Sequence, residues 1–215
     1  MEKKIFCMWS GTNEMPPQRV ECLRKLQDST RCKIVYIHPY NLHRFVLPEH
    51  PLHPAYPYLS ETHKADYFRC YLMHFYGGGY TDIKLQSGSW EDAFRDLDCS
   101  SAYVNGYPVL KEHAKPLHME RWEKLIGTNA IICKPNTPFT QLWYSKIVDL
   151  LDAHLEKLIQ NPANHPQAAA WDKTGYPLEW TSTNADIFHD VCMVFIDDIL
   201  RTVPRPNLTL ETYRF

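Results

Sequence analysis

Four charged residues stand at spacings that suggest chemistry rather than solvation. Asp66 and Arg69 are three residues apart in H-K-A-D-Y-F-R-C-Y-L-M-H-F, a run of helical periodicity. Ala65, Phe68, Leu72 and Phe75 form its apolar stripe, and Asp66 and Arg69 project from the edge of that buried face. Asp82 and Lys84 follow a break at Gly77-Gly78-Gly79, inside the strand expected from Tyr80 to Leu85. Residues two apart on a strand share a face, so Asp82 and Lys84 should point the same way. A carboxylate leaving a buried helix–strand unit needs a partner: a ligand, a metal ion or a cation of the chain itself. An i, i+3 ion pair beside a solvated aspartate would account for the same residues without any ligand.

The order of these residues resembles the DXD sugar-binding region of glycosyltransferase family 32. It is also similar to the catalytic domains of the clostridial glucosylating toxins. Both carry a serine–aspartate pair, an arginine three residues on, a glycine pair, a tyrosine and an Asp-x-Asp. Here Ala65-Asp66, Arg69, Gly78-Gly79, Tyr80, Asp82 and Lys84 occupy those positions, with alanine for the serine and lysine for the second aspartate. The W-x-G of the family's first strand end matches Trp9-Ser10-Gly11, and its N-x-x-x-x-K-P segment resembles the run from Asn129 to Pro135.

The resemblance implies a single GT-A-like α/β domain with a mostly parallel central sheet. It implies a nucleotide-binding part over about 1–105 and an acceptor and closing part over about 106–215. The activity implied is transfer of a hexose from a nucleotide-diphosphate sugar, UDP-glucose-like, to a glycan or protein acceptor, with retention of configuration. Trp9 would stack on the base, and Ser10, Gly11 and Tyr80 would complete the nucleotide site. Asp66, Arg69 and Asn129 would hold the donor sugar. Asp82 and Lys84 would act at the diphosphate. A segment near the C-terminus would close over that group, with Trp180, Ser182, His189 and Asp190 as candidates and His189 as a second metal ligand beside Asp82.

A departing diphosphate needs its developing negative charge stabilised, by a divalent cation or by positive side chains. Mg²⁺ or Mn²⁺ suits carboxylate and phosphate oxygens. Asp82 could bind the ion directly or through water, or contact the ribose; protonated Lys84 cannot bind it. Two arrangements therefore stay open. Either Asp82 and a C-terminal group hold a divalent cation, the arrangement expected here, or Lys84 itself neutralises the diphosphate. A catalytically silent nucleotide-sugar or glycan-binding domain is the competing function. A nucleotidyltransferase has less support, because no glycine-rich phosphate loop of the GxGxxG or GxxxxGK[ST] kind is present.

These residues need elements to position them. Lys4 to Gly11 reads as a buried strand, Pro17 onward as an amphipathic helix with Val20, Cys22, Leu23 and Leu26, and Lys33 to His38 as a second strand. That is a βαβ opening. His50-x-x-His53 lies on a proline-rich stretch and is taken as a rigid surface loop. A helix is expected over Trp90 to Leu97, a strand over Ser101 to Val104, a loop or hairpin over Lys111 to Lys124, and a strand over Leu125 to Lys134. A long helix should run from Thr137-Pro138 to Gln160, and another from near Asn184.

The 215 residues suit one domain, and a formal net charge of −2 gives no reason to expect nucleic acid as partner. Seven scattered cysteines without a CxxC pair read as free thiols of a reducing compartment. Met1-Glu2-Lys3-Lys4 leads straight into a strand, and no apolar run approaches membrane-spanning length. A cytoplasmic location is expected.

Overall fold

The computed structural model describes residues 1–113 and 116–207. The βαβ opening forms as expected: β1 (Lys4–Met8), α1 (Pro17–Thr30) and β2 (Lys33–Ile37), with β1 and β2 parallel and Lys4 beside Lys33. Pro17 starts α1 because the first helical N–H needs no intrahelical acceptor. Residues 38–60 run over the surface in short turns. They are anchored where Tyr71 donates to the His50 carbonyl at 2.7 Å and Tyr67 accepts from the His53 amide at 3.0 Å.

Next comes α2 (Glu61–Phe75), capped by Ser60, whose hydroxyl accepts from the His63 amide. Ten of its fifteen residues are buried, so it is enclosed on nearly every side and carries its polar residues into the interior. Gly77 and Gly78 hold φ of 62° and 88°, values that glycine adopts without a Cβ penalty. A Cβ on Gly77 would also meet Pro135 Cδ at 2.5 Å, so this turn requires glycine twice over.

After the turn, β3 (Gly78–Thr81) pairs parallel to β1. This strand begins and ends earlier than the sequence suggests. Asp82 and Lys84 lie just past its carboxyl end, in a tight turn where the Lys84 amide donates to the Asp82 carbonyl at 2.7 Å. Their shared direction comes from that turn and not from a strand pleat.

The remaining elements are α3 (Glu91–Asp98), β4 (Val104–Pro108), β5 (Ile126–Cys133), α4 (Pro138–Gln160), α5 (Ile187–Val194) and β6 (Ile199–Leu200). The capping box of Thr137 and Thr140 starts α4. β4 begins where the strand expected over Ser101 to Val104 should end. Within the expected loop or hairpin over 111–124, short 3₁₀ turns form instead of paired strands. The last helix is preceded by a π-helical turn, Ser182–Asp186, and becomes α-helical only at Ile187.

The sheet order is β2-β1-β3-β5-β4-β6. Only β5 runs against the others, pairing antiparallel to both β3 and β4. The expected mixed α/β fold with a mostly parallel, helix-flanked sheet is therefore what the chain adopts. Alternate residues of β1 serve opposite faces. Phe6 and Met8 pack into the large core with α2, α4 and α5, while Ile5 meets α3 and Cys7 meets α1. Because β5 inserts beside β3, residues on both sides of position 105 share one sheet. No cysteine among the described residues is bridged, and all but Cys99 are buried. Among the described residues no helix is long and apolar enough to cross a membrane.

Candidate functional site

A cleft of about 310 Å³ opens at the carboxyl ends of β1 and β3, where an open parallel sheet presents a crevice to ligands. Trp9, Ser10 and Gly11 enter it from the end of β1, and Asp66 and Arg69 from α2. Tyr80 comes from β3, Asp82 and Lys84 from the turn after it, and Asn129 from β5. The residues expected to hold nucleotide, sugar and diphosphate all line this cleft, while of the closing-segment candidates His189, Asp190 and Ser182 do not. The His189 side chain is buried beside His118, 6.2 Å between ring centroids, and is not brought to Asp82. His118 bonds Asp190 at 3.1 Å, so Asp190 is engaged there as well. Trp180, the remaining candidate for the closing segment, lines the cleft.

On the floor, charges alternate. Thr183 donates to one oxygen of Asp66 at 3.2 Å, and Arg69 Nη2 lies 3.3 Å from the other. The same Nη2 reaches Oδ1 of Asp82 at 3.0 Å, and Lys84 Nζ lies 3.2 Å from Oδ2. The guanidinium of Arg69 stacks 4.5 Å over the Tyr80 ring, which adds a cation–π contact. Asp66, Arg69 and Lys84 are each at most 3% exposed, so their charges persist only because they neutralise one another.

The two carboxylates respond in opposite directions. Burial pushes the Asp66 carboxyl up to about 6 against the opposing pull of Arg69, and the nearby Asp82 adds to the rise. Burial would raise Asp82 too, yet Lys84, Arg69 and Arg19 together hold it below the usual carboxylate range. Asp82 thus remains ionised where Asp66 approaches neutrality.

Trp9 occupies a divided position. Its ring packs against the core residues under α1 and also lines the cleft, while Nε1 donates to the Asn13 carbonyl at 3.0 Å. The Ser10 hydroxyl donates to the Glu61 carbonyl at 2.7 Å and so ties the end of β1 to α2. Asn129 accepts the Tyr107 hydroxyl proton at 2.6 Å, and its carbonyl accepts the Asp82 amide at 3.0 Å. Asn129 is therefore held in place from below and in turn holds the turn that carries Asp82.

The structure adds residues that sequence reasoning missed. Arg19, buried on α1, donates to the Ile83 carbonyl at 2.6 Å and lines the cleft beside Asp82. Its position near the helix start, directed at the strand ends, was the available signal. Thr183 and Asn184 come from the π-helical turn, whose geometry leaves no pattern in sequence. Buried polar atoms of the cleft without a hydrogen-bond partner include Nε and Nη1 of Arg69 and Oδ1 of Asn184. Such atoms are costly unless a ligand satisfies them.

A divalent cation finds no ready donor set here. Both oxygens of Asp82 and both of Asp66 already have partners, and an ion on Asp82 would lie beside the Lys84 ammonium. Among the described residues, no cluster of three His, Cys, Asp or Glu side chains could hold a metal ion.

A solved glycosyltransferase shares this α/β fold. The chain is similar to the solved structure of the PaToxG glycosyltransferase, with a TM-score of 0.50 over 88% of this chain and 67% of that one. Sequence identity is 13%, so the likeness is one of fold. No protein-family model and no curated protein matches the sequence.

Proposed function

We propose that this chain is a glycosyltransferase that moves a hexosyl group from a nucleotide-diphosphate sugar, UDP-glucose-like, to a hydroxyl of a glycan or protein, with retention of configuration. The observation that carries the reading is the Asp66–Arg69–Asp82 array on the floor of a cleft at the strand ends. Neighbouring carboxylates and a guanidinium suit a polyhydroxylated ring, accepting from some hydroxyls and donating to others. The unsatisfied donors of Arg69 and the acceptor of Asn184 ask for the same kind of ligand.

In the reaction, the bond between the anomeric carbon and the β-phosphate oxygen breaks, and its electron pair leaves with the nucleoside diphosphate. The acceptor oxygen bonds to the anomeric carbon and gives up its proton to solvent or to the departing phosphate. Asp66, Arg69 and Asn129 orient the sugar, Trp9 lies against the base with Ser10, Gly11 and Tyr80 around the nucleotide, and the cations beside Asp82 face the diphosphate. Positioning and electrostatic complementarity are what this chain supplies.

Release of glucose from UDP-glucose, and its transfer to candidate acceptors, tests the reading. The unaltered protein should turn over the donor, while Asp66→Asn should lower UDP-glucose binding about tenfold or more and leave UDP binding nearly unchanged. Equal losses for both ligands would remove Asp66 from the sugar site. Donor binding without turnover under any acceptor would favour a silent nucleotide-sugar-binding domain.

A further inference from the structure

We infer that the cleft binds the donor diphosphate with cations of its own, Lys84 and Arg19, in place of a divalent metal ion. The inference rests on the nucleotide-sugar reading above and specifies how that site neutralises its ligand.

Three observations support it. First, the carboxylate that would carry a metal is already saturated, since Arg69 and Lys84 take one oxygen of Asp82 each, at 3.0 and 3.2 Å. Replacing either by Mg²⁺ would set a divalent charge against a buried ammonium or guanidinium, and among the described residues no cluster of three His, Cys, Asp or Glu side chains offsets the repulsion.

Second, the described side chains leave positive charge over. Arg19, Arg69 and Lys84 face Asp66 and Asp82, and the cleft's other carboxylate, Glu61, is paired with Lys64 at 2.8 Å. An anion entering this cleft supplies the missing negative charge. A metal cation would deepen the imbalance.

Third, the cations are built into the scaffold. Arg19 is fixed by its bond to the Ile83 carbonyl, and Lys84 is held by Asp82 across the same turn. The two side chains thus grip one short segment, residues 82–84, from α1 and from the turn itself. Charges held rigidly in a water-poor wall stabilise an anion without the reorganisation that solvent would require. The lysine at the third position of the D-x-K run therefore does the electrostatic work that a carboxylate-bound ion would do there.

Calorimetry of UDP binding to the full chain tests this, first with millimolar Mn²⁺ and then with excess EDTA. Affinity should agree within about twofold in the two conditions, and Lys84→Gln should lower it about tenfold or more while leaving uridine binding unchanged. Arg19→Gln should show a smaller loss of the same kind. Lys84→Asp should convert the site, so that UDP binds with Mn²⁺ and fails with EDTA. Binding by the unaltered protein that requires Mn²⁺ would overturn the inference and leave the glycosyltransferase reading standing. Absence of UDP binding in both conditions would overturn that reading and the inference with it. The metal comparison needs no substitution, so a Lys84 variant that fails to fold does not shield the idea.

Discussion

On the floor of the cleft, Asp66, Arg69, Asp82 and Lys84 are pinned by one another and by regular elements on either side. On its rim, residues 161–186 contain no strand and no α-helix, only short turns, and they present aromatic surface beside the exposed Lys173 and Glu179. Trp171 is 58% exposed and lies 5.2 Å, ring to ring, from Trp180, which lines the cleft. The floor spends its interactions on itself: its charges would be prohibitively costly if any one were removed. The rim leaves apolar surface facing water, where a second ligand can use it. The contrast separates a preformed charge array for the donor from an open aromatic edge for whatever approaches it.

Breaking the floor should have the largest effect. Arg69→Leu removes the cation shared by Asp66 and Asp82; it leaves the buried Asp66 with Thr183 alone, while Asp82, its side chain 28% exposed, keeps Lys84. We expect a loss of about 3–5 kcal/mol in stability, read by urea denaturation. A loss below about 1 kcal/mol would mean that the array is solvated and that the contrast with the rim fails.

Trp9 stands between the two regions, half core and half cleft wall. Trp9→Ala should weaken UDP binding by about 1–3 kcal/mol if the ring stacks on the base. An unchanged affinity in a folded variant would assign the ring to the core alone.

The floor should also carry the pH dependence. The folded value for Asp66 is raised, to about 6 from 3.8, so the folded protein holds this proton more tightly than the unfolded chain. Its contribution to stability is therefore complete below 3.8 and is lost as pH rises through about 6. Donor-sugar binding that needs the carboxylate should move the other way and strengthen through the same window. UDP-glucose titrations across it, beside Asp66→Asn, check this; a profile identical in the variant would assign the dependence to another group.

The smallest effect belongs to the rim. Trp171→Ala should change stability by no more than about 0.5 kcal/mol, because the ring is mostly exposed. It should raise the acceptor KM and leave UDP affinity as it was. A melting temperature lowered by many degrees would show that the rim is as structural as the floor.

How far each part was legible in the sequence follows from the range of the interactions behind it. The run from Asp66 to Lys84 could be read because helical spacing, a glycine break and a charged pair are local signals. The long α4 and the βαβ opening were legible for the same reason, through periodicity and proline or threonine caps. The limits of β3 were not. Tyr80 to Leu85 has strand-like composition throughout, but pairing with β1 and β5 stops at Thr81, and only the partner strands set that limit. The strand expected before Val104 was displaced in the same way, since β4 is defined by its pairing with β5. His189 had a suitable side chain and a suitable region, yet the direction in which a buried helix turns a residue depends on what packs against it.

The sequence by itself determined the order of elements and the identity of the charged residues, because propensity, capping and hydrophobic period act over a few neighbours. Tertiary structure alone decided the partners that lie far apart in sequence. Asp66 and Thr183 are 117 residues apart, and Arg19 and Ile83 are 64 apart. Hydrogen bonds form only at contact distance, so only the packing of α1, α2 and the π-helical turn against one sheet end could establish those pairs.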